Sequence, residues 1–399
     1  MTVHDGDAAE GSAGREPGTD EMQEPDDRSV GFLELFFDLT FVFAMSQVTY
    51  LMLHDISWQG FGRGVLALLA LWWAWVCYAW LTNLFEIARV IHTTMVIVAM
   101  AAMFIAVIAL PTAFTTAALV FALALFAVRL INAGMFIASA SRGEAELASA
   151  IRRLVPGLLV GPVLIVAGAF VDSPYRELLW VAAAAADFGS PLIAGINGLR
   201  VVPAYFIERH GLVIIIALGE AIISLGAGAS ESLHRPGVLG AVVLGVLITG
   251  TLWWTYFGLT TGAEERLRLT PASERAQLAR DAYSYLHLPL VAGVVFFALG
   301  ARVSVEHIGE PLAPLPALAL TGGVALFYAG EVAYRWRDHH LLVVDRLLTA
   351  VASLLMFPVA TSVPAVLSLT ILTAIGVLRL AWELWRRPQI GTINAGTVR

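Results

Sequence analysis

Along most of the chain, long apolar runs alternate with short clusters of charged and turn-forming residues. A helix needs about twenty apolar residues to cross the hydrocarbon core of a bilayer. On that measure the pattern predicts twelve membrane helices, at residues 33–53, 63–82, 90–110, 115–138, 154–171, 177–197, 209–229, 238–260, 282–301, 314–333, 341–361 and 363–383. The breaks carry turn residues or charges: His54-Asp55, Pro111, Asp172-Ser173-Pro174, His234-Arg235-Pro236 and Gly309-Glu310-Pro311. Proline and glycine interrupt the fifth and sixth segments. The fold class expected is all-α: a polytopic membrane protein of about twelve transmembrane helices.

Composition supports the lipid-facing reading. Hydrophobic residues make up 58% of the 399 and charged ones 14%, where a soluble domain is nearer half apolar and about a quarter charged. So few charges cannot cover a water-facing surface of this size. The net charge of -7 sits largely in the first thirty residues, a Gly-, Ala-, Pro- and Asp/Glu-rich stretch with little to bury, expected to be a disordered tail. It has no basic n-region or cleavage site and is not expected to be a secretory signal. Cys77, the one cysteine, permits no intrachain disulfide and no cysteine metal cluster. Arginine placement sets the orientation: with the N-terminus on one side, that side holds 17 arginines and the other 4. Both termini are therefore expected in the cytoplasm.

An internal repeat is also expected. Leu71-Trp72-Trp73-Ala74-Trp75 in the second segment is echoed by Leu252-Trp253-Trp254-Thr255-Tyr256 in the eighth, 181 residues later. The same offset takes Asp38 to Gly219, beside Glu220, and Leu81-Thr82-Asn83 lies at the end of segment two as Leu259-Thr260-Thr261 does at the end of segment eight. The organisation expected is a tail at 1–30, six-helix units at 31–200 and 201–387, and a short tail at 388–399. Two six-helix halves share orientation and form a 6+6 parallel repeat about an axis along the membrane normal, as in one class of transporter.

Two blocks resemble the bacterial low temperature requirement protein A family. One is Glu34-Leu35-Phe36-Phe37-Asp38-Leu39, followed by Phe41-Val42-Phe43-Ala44; the other runs from Glu208-Arg209-His210-Gly211-Leu212 to Leu218-Gly219-Glu220. Trp72-Trp73, Thr82-Asn83 and Ala282-Tyr283-Ser284-Tyr285-Leu286-His287-Leu288-Pro289 are lesser echoes. His210 stands where the family pattern has Phe. The resemblance implies a multi-pass protein of the bacterial plasma membrane, in a family named for growth in the cold.

Charged groups inside a bilayer cost several kcal/mol unless paired or hydrated, so they are the first functional candidates. Glu34 and Asp38 are four apart and share one face of the first helix, continued by Met45 and Thr49. They either exchange protons or pair with a buried arginine that locks the bundle. Glu220 lies roughly 18 Å along the seventh helix from Glu208, with Ser224 one turn on, and is a candidate proton or substrate group. Arg129, in the fourth segment, is the expected counter-ion of Asp38 or Glu220. Tyr283 and His287, with Pro289 beyond and the Tyr285 carbonyl freed by it, form a candidate polar pocket. Asp187 precedes Phe188-Gly189-Ser190-Pro191, where a helix break is expected. Glu86, Glu331 and Asp345-Arg346 read as interfacial anchors, and Trp72, Trp73, Trp75, Tyr78 and Trp80 as belt and packing.

There is no P-loop, HExxH, GxSxG or Cys/His metal spacing, so neither a cofactor nor an enzyme activity is expected. The 264–280 loop mixes charge signs and reads as a linker lying on anionic lipid, with no nucleic-acid surface. The leading functional expectation is a proton-linked secondary transporter or permeation protein, with the lipid bilayer and a small solute or proton as partners. A membrane sensor or scaffold and a lipid-modifying membrane enzyme are the alternatives.

Overall fold

The computed structural model describes residues 29–84, 90–140, 145–230, 232–258, 262–340 and 342–396. The acidic stretch before residue 29, Glu86 and the 259–261 segment of the repeat lie outside the described residues. The elements are α1 (Phe32–His54), α2 (Trp58–Leu84), α3 (Val90–Ala109), α4 (Ala118–Ala140), α5 (Ala145–Gly168), α6 (Tyr175–Ala194), α7 (Pro203–Ser230), α8 (Val238–Phe257), α9 (Ala263–Leu269), α10 (Ala272–Ala279), α11 (His287–Glu306), α12 (Pro314–His339), α13 (Val344–Leu355), α14 (Phe357–Ala360) and α15 (Ala365–Gly396). Strands are absent among the described residues; one isolated bridge joins Pro311 and Pro364.

Among the described residues, eleven helices are long and apolar enough to cross a membrane. The chain is a multi-pass, all-α membrane protein, as its sequence predicts. The segment expected at 341–361 is the one that falls short. It is cut at Met356 into α13 and α14. Pro358, in the first turn of α14, has no N–H for the Leu354 carbonyl, which weakens the helix at this point. From Val344 to Ala360 the two pieces rise roughly 25 Å, against about 30 Å of hydrocarbon.

The expected break near Asp187 is absent: α6 runs through Pro191 to Ala194 and ends at Gly195, whose positive φ of 70° glycine adopts freely. The 264–280 loop instead forms α9 and α10. A π-helical stretch, Arg280–Tyr285, then leads into α11.

The bundle is built around α2, α11 and α12, whose spans are the most enclosed. The α11–α12 seam is closed by glycines. A Cβ on Gly300 would sit 2.3 Å from the Leu320 backbone nitrogen, and one on Gly323 2.4 Å from that of Phe297. Without an aqueous driving force between helices, such close backbone approach supplies the packing. Outward faces are apolar, as at Ile97, Val98, Phe104, Ile105 and Ile108 of α3. The two Trp pairs of the expected repeat stand in unlike surroundings. Trp72 is buried and donates its indole N–H to the Ser284 carbonyl at 2.9 Å, whereas Trp253 is 45% exposed.

Candidate functional site

Parallel helices α1 and α7 carry two polar contacts, one above the other. In the first, Asp38 Oδ2 pairs with Arg209 Nη1 at 2.9 Å, and its Oδ1 accepts the Trp75 indole N–H at 3.0 Å. Asp38 is 2% exposed and Arg209 0%. The Arg209 guanidinium also lies 5.9 Å from the Trp75 ring centroid. Glu34, one turn before Asp38, accepts the Tyr205 hydroxyl at 3.3 Å. Glu34 and Asp38 thus share the buried face the spacing predicts. The counter-ion is Arg209 and not Arg129. Arg209 reads as a flanking cytoplasmic arginine in the sequence because the apolar run begins only after it. The helix, however, starts at Pro203, which puts Arg209 about 9 Å in.

The second contact lies about two to three helical turns deeper. Glu220 is 1% exposed. Its Oε1 accepts the Ser224 hydroxyl at 2.6 Å, and its Oε2 accepts the hydroxyl of Ser46 from α1. Thr49, 1% exposed, lies a turn beyond Ser46 on α1. Neither Arg129 nor His287 reaches Glu220, and among the described residues no basic group stands within ion-pair distance of it. Ser46 was not foreseen as a partner. Its visible signal is a hydroxyl eight residues from Asp38 in a membrane span.

Arg129 of α4 instead pairs with Asp187 of α6 at 2.7 Å. Its Nε and Nη2 donate to the Leu158 carbonyl at 3.1 and 2.8 Å, and its Nη1 to the Trp73 carbonyl at 3.2 Å and to Cys77 Sγ at 2.9 Å. The Leu158 carbonyl is free to accept because Pro162, four residues on, has no N–H. The proline that opens the backbone is therefore in α5, not the Pro191 that follows Asp187. Gly161 makes room: a Cβ there would lie 2.6 Å from the Asp187 carboxyl atoms. Beside this pair opens a cleft of about 520 Å³, mouth included, walled by Trp80, Phe136, Leu154 and Leu158. Its walls are almost wholly apolar.

Tyr283 and His287 meet in a buried aromatic cluster, their rings stacked at 5.0 Å. The His287 Nδ1–H donates to the Ala282 carbonyl at 2.9 Å, so the neutral ring accepts the Tyr256 hydroxyl on Nε2, also at 2.9 Å. Tyr283 and Tyr334 exchange a hydroxyl bond at 3.0 Å. His210 packs edge-on to Trp75, Tyr283 and His287, its Nδ1–H donating to the Phe206 carbonyl at 2.7 Å. The accepting carbonyl anticipated at Tyr285 is that of Ser284, taken by Trp72, because the π-helical stretch shifts the backbone register. Of the side chains read as belt and packing, Trp72, Trp75, Tyr78 and Trp80 bond to interior groups, and Trp73 packs on the Phe188 ring at 4.5 Å.

Polar atoms near this axis are left without partners: Nε and Nη2 of Arg209, and Nε2 of His210. Glu331 and Arg346, expected as interfacial anchors, are an interior ion pair, at 1% and 0% exposure. Among the described residues no group of three or more His, Cys, Asp and Glu side chains is placed to hold a metal.

Comparison with known proteins agrees with this architecture. The family model of the bacterial low temperature requirement A protein (LtrA) matches residues 29–381. An uncharacterized protein of Rhizobium meliloti (strain 1021) is 27% identical over 378 residues, covering 91% of this chain and 90% of its own. No solved structure matches.

Proposed function

This chain belongs to the bacterial low temperature requirement A family, and from that premise we propose that it is a proton-linked secondary transporter or permeation protein. The observation that carries the reading is the unequal treatment of its buried carboxylates. Asp38, Asp187 and Glu331 are each met by a guanidinium, from Arg209, Arg129 and Arg346. Glu220 is held by hydroxyls, Ser224 of its own helix and Ser46 of α1, and among the described residues no guanidinium stands within ion-pair distance of it. An intramembrane charge without a counter-ion is costly, and a proton is the group that neutralises it. Because Ser46 and Glu220 lie on different helices, gain or loss of that proton changes a contact across the α1–α7 seam. That couples occupancy to helix position. Asp38 with Arg209, about two to three turns away on the same pair, holds the seam in register. The arginine asymmetry of the sequence supports a plasma-membrane orientation with both termini cytoplasmic.

The test is proton flux into proteoliposomes under an imposed pH gradient, comparing the unaltered chain with Glu220→Gln. Glutamine keeps the hydrogen-bonding shape and removes the titrating group. Flux from the unaltered chain that vanishes in a monodisperse, folded Glu220→Gln protein is the expected result. Equal flux from both proteins refutes the assignment of Glu220.

A further inference from the structure

The cleft beside the Arg129–Asp187 pair is closed at its inner end and open at the other. At the inner end stand Leu158 of α5 and Cys77 of α2, whose carbonyl and sulfur respectively engage Arg129. The α5 wall then runs through Leu154 to Ile151, a rise of about 10 Å. Trp80 of α2 and Phe136 of α4 complete it, both buried. The opening lies at Val155, Pro191 and Arg280, which are half-buried. Next to Pro191, Leu192 and Ile193 are exposed, so the mouth gives onto the apolar outer surface of the bundle. Interiors hold few voids larger than a water molecule, and apolar ones stay dry. With its mouth the cleft measures about 520 Å³, within the range of small-molecule sites.

Charge at the mouth indicates the occupant. Asp281 is shared by two arginines: Oδ1 meets Arg280 Nη2 at 2.7 Å, and Oδ2 meets Arg337 Nη2 at 3.0 Å. The neighbouring acid, Asp338, already faces Arg266 at 3.5 Å. On the α5 side, Arg153 donates to neutral groups, the Ser149 hydroxyl at 2.8 Å and the Asn197 carbonyl at 3.1 Å. Glu146, packed on Gly198, is the acid of that side, and the exposed Arg152 offsets it. The rim therefore carries an excess of guanidinium above an apolar slot. Basic pockets between membrane helices at the arginine-rich side take anionic lipid head groups.

We propose that this cleft binds an anionic phospholipid of the adjoining leaflet, one acyl chain lying between α2, α4 and α5 and the phosphate at Arg280 and Arg153. The chain fills a slot that water does not wet, and the phosphate takes up the excess charge of the rim. The site shares no residue with the Glu220 contact and its occupancy is read without any flux, so either assignment can fail alone.

The experiment is thermal unfolding of delipidated protein in a neutral detergent, with dioleoyl phosphatidylglycerol or dioleoyl phosphatidylcholine added at equal ionic strength. Phosphatidylglycerol should raise the midpoint by several degrees more than phosphatidylcholine. Leu154→Trp, whose indole fills the slot and leaves every charge in place, should abolish that difference, and Arg280→Gln should reduce it. Equal midpoints with the two lipids overturn the proposal, as does a phosphatidylglycerol effect undiminished in folded Leu154→Trp. A rise given by oleate and not by phosphatidylglycerol marks a free fatty acid as the occupant and overturns it too. If Leu154→Trp does not fold, Val155→Trp at the half-buried mouth takes its place. Native mass spectrometry of the unaltered chain decides independently of any variant: one phosphatidylglycerol retained at collision energies that strip phosphatidylcholine supports the site, and equal loss of both lipids overturns it.

Discussion

Replacing Arg129 by Met tests whether the Arg129–Asp187 pair is structural. Arg129 donates to Asp187, to the Leu158 carbonyl through two nitrogens, to the Trp73 carbonyl and to Cys77. Methionine fills much of the volume and removes every donor. Asp187 is then an uncompensated charge in a nearly water-free site, and the Leu158 carbonyl loses its partner while Pro162 still withholds an N–H. Removing one partner of a buried ion pair costs about 3–5 kcal/mol. At tenfold per 1.4 kcal/mol that is a shift of roughly a hundred- to several-thousand-fold in the unfolding equilibrium. The double variant Arg129→Met/Asp187→Leu removes both charges and should recover most of the loss, since buried pairs are often replaceable by apolar groups of similar volume. Reversible unfolding of purified protein in mild detergent, run as a double-mutant cycle, measures this. A double variant as unstable as Arg129→Met alone would refute the argument. If it recovers stability and keeps any flux of the parent, the pair is a bundle lock and not part of a pathway.

Trp75→Phe removes the indole N–H from Asp38 and should cost about 1.5–3 kcal/mol, the range for a hydrogen bond to a charged group; unfolding unchanged from the parent argues against that bond. Gly323→Ala places a methyl 2.4 Å from the Phe297 nitrogen and should destabilise the α11–α12 seam by about 1–3 kcal/mol, whereas Gly219→Ala, with nothing within 4 Å, should be near neutral; equal midpoints for the two variants contradict the close approach. Cys77, buried beside Arg129, should resist maleimide in the folded protein and react fully in denaturing detergent. Ser46→Ala/Ser224→Ala removes both donors to Glu220 and should lower proton flux with the fold intact, read in the same proteoliposomes; unaltered flux separates these hydroxyls from the pathway.

The helices were legible in the sequence because a membrane span is a local property: twenty apolar residues satisfy every backbone group within one segment. The two acid-bearing blocks, the buried face shared by Glu34 and Asp38, and the depth of Glu220 follow from the 1.5 Å rise and the helical period alone. Family membership was visible in the same blocks. Partner choice was not. Asp38 meets Arg209 across 171 positions, Glu220 meets Ser46 across 174, and Arg129 meets Asp187 across 58. Each acid could have taken any of several arginines, because one-dimensional spacing says nothing of which helices become neighbours. The interior burial of Arg346 and Glu331 was hidden for the same reason. Near a predicted helix end a charge reads as an anchor, and only the packing of α12, α13 and α15 turned it inward. The sequence determined which groups enter the membrane, at a rise set by backbone geometry; the tertiary structure decided which of them neutralise one another, because that depends on contacts between helices distant in the chain.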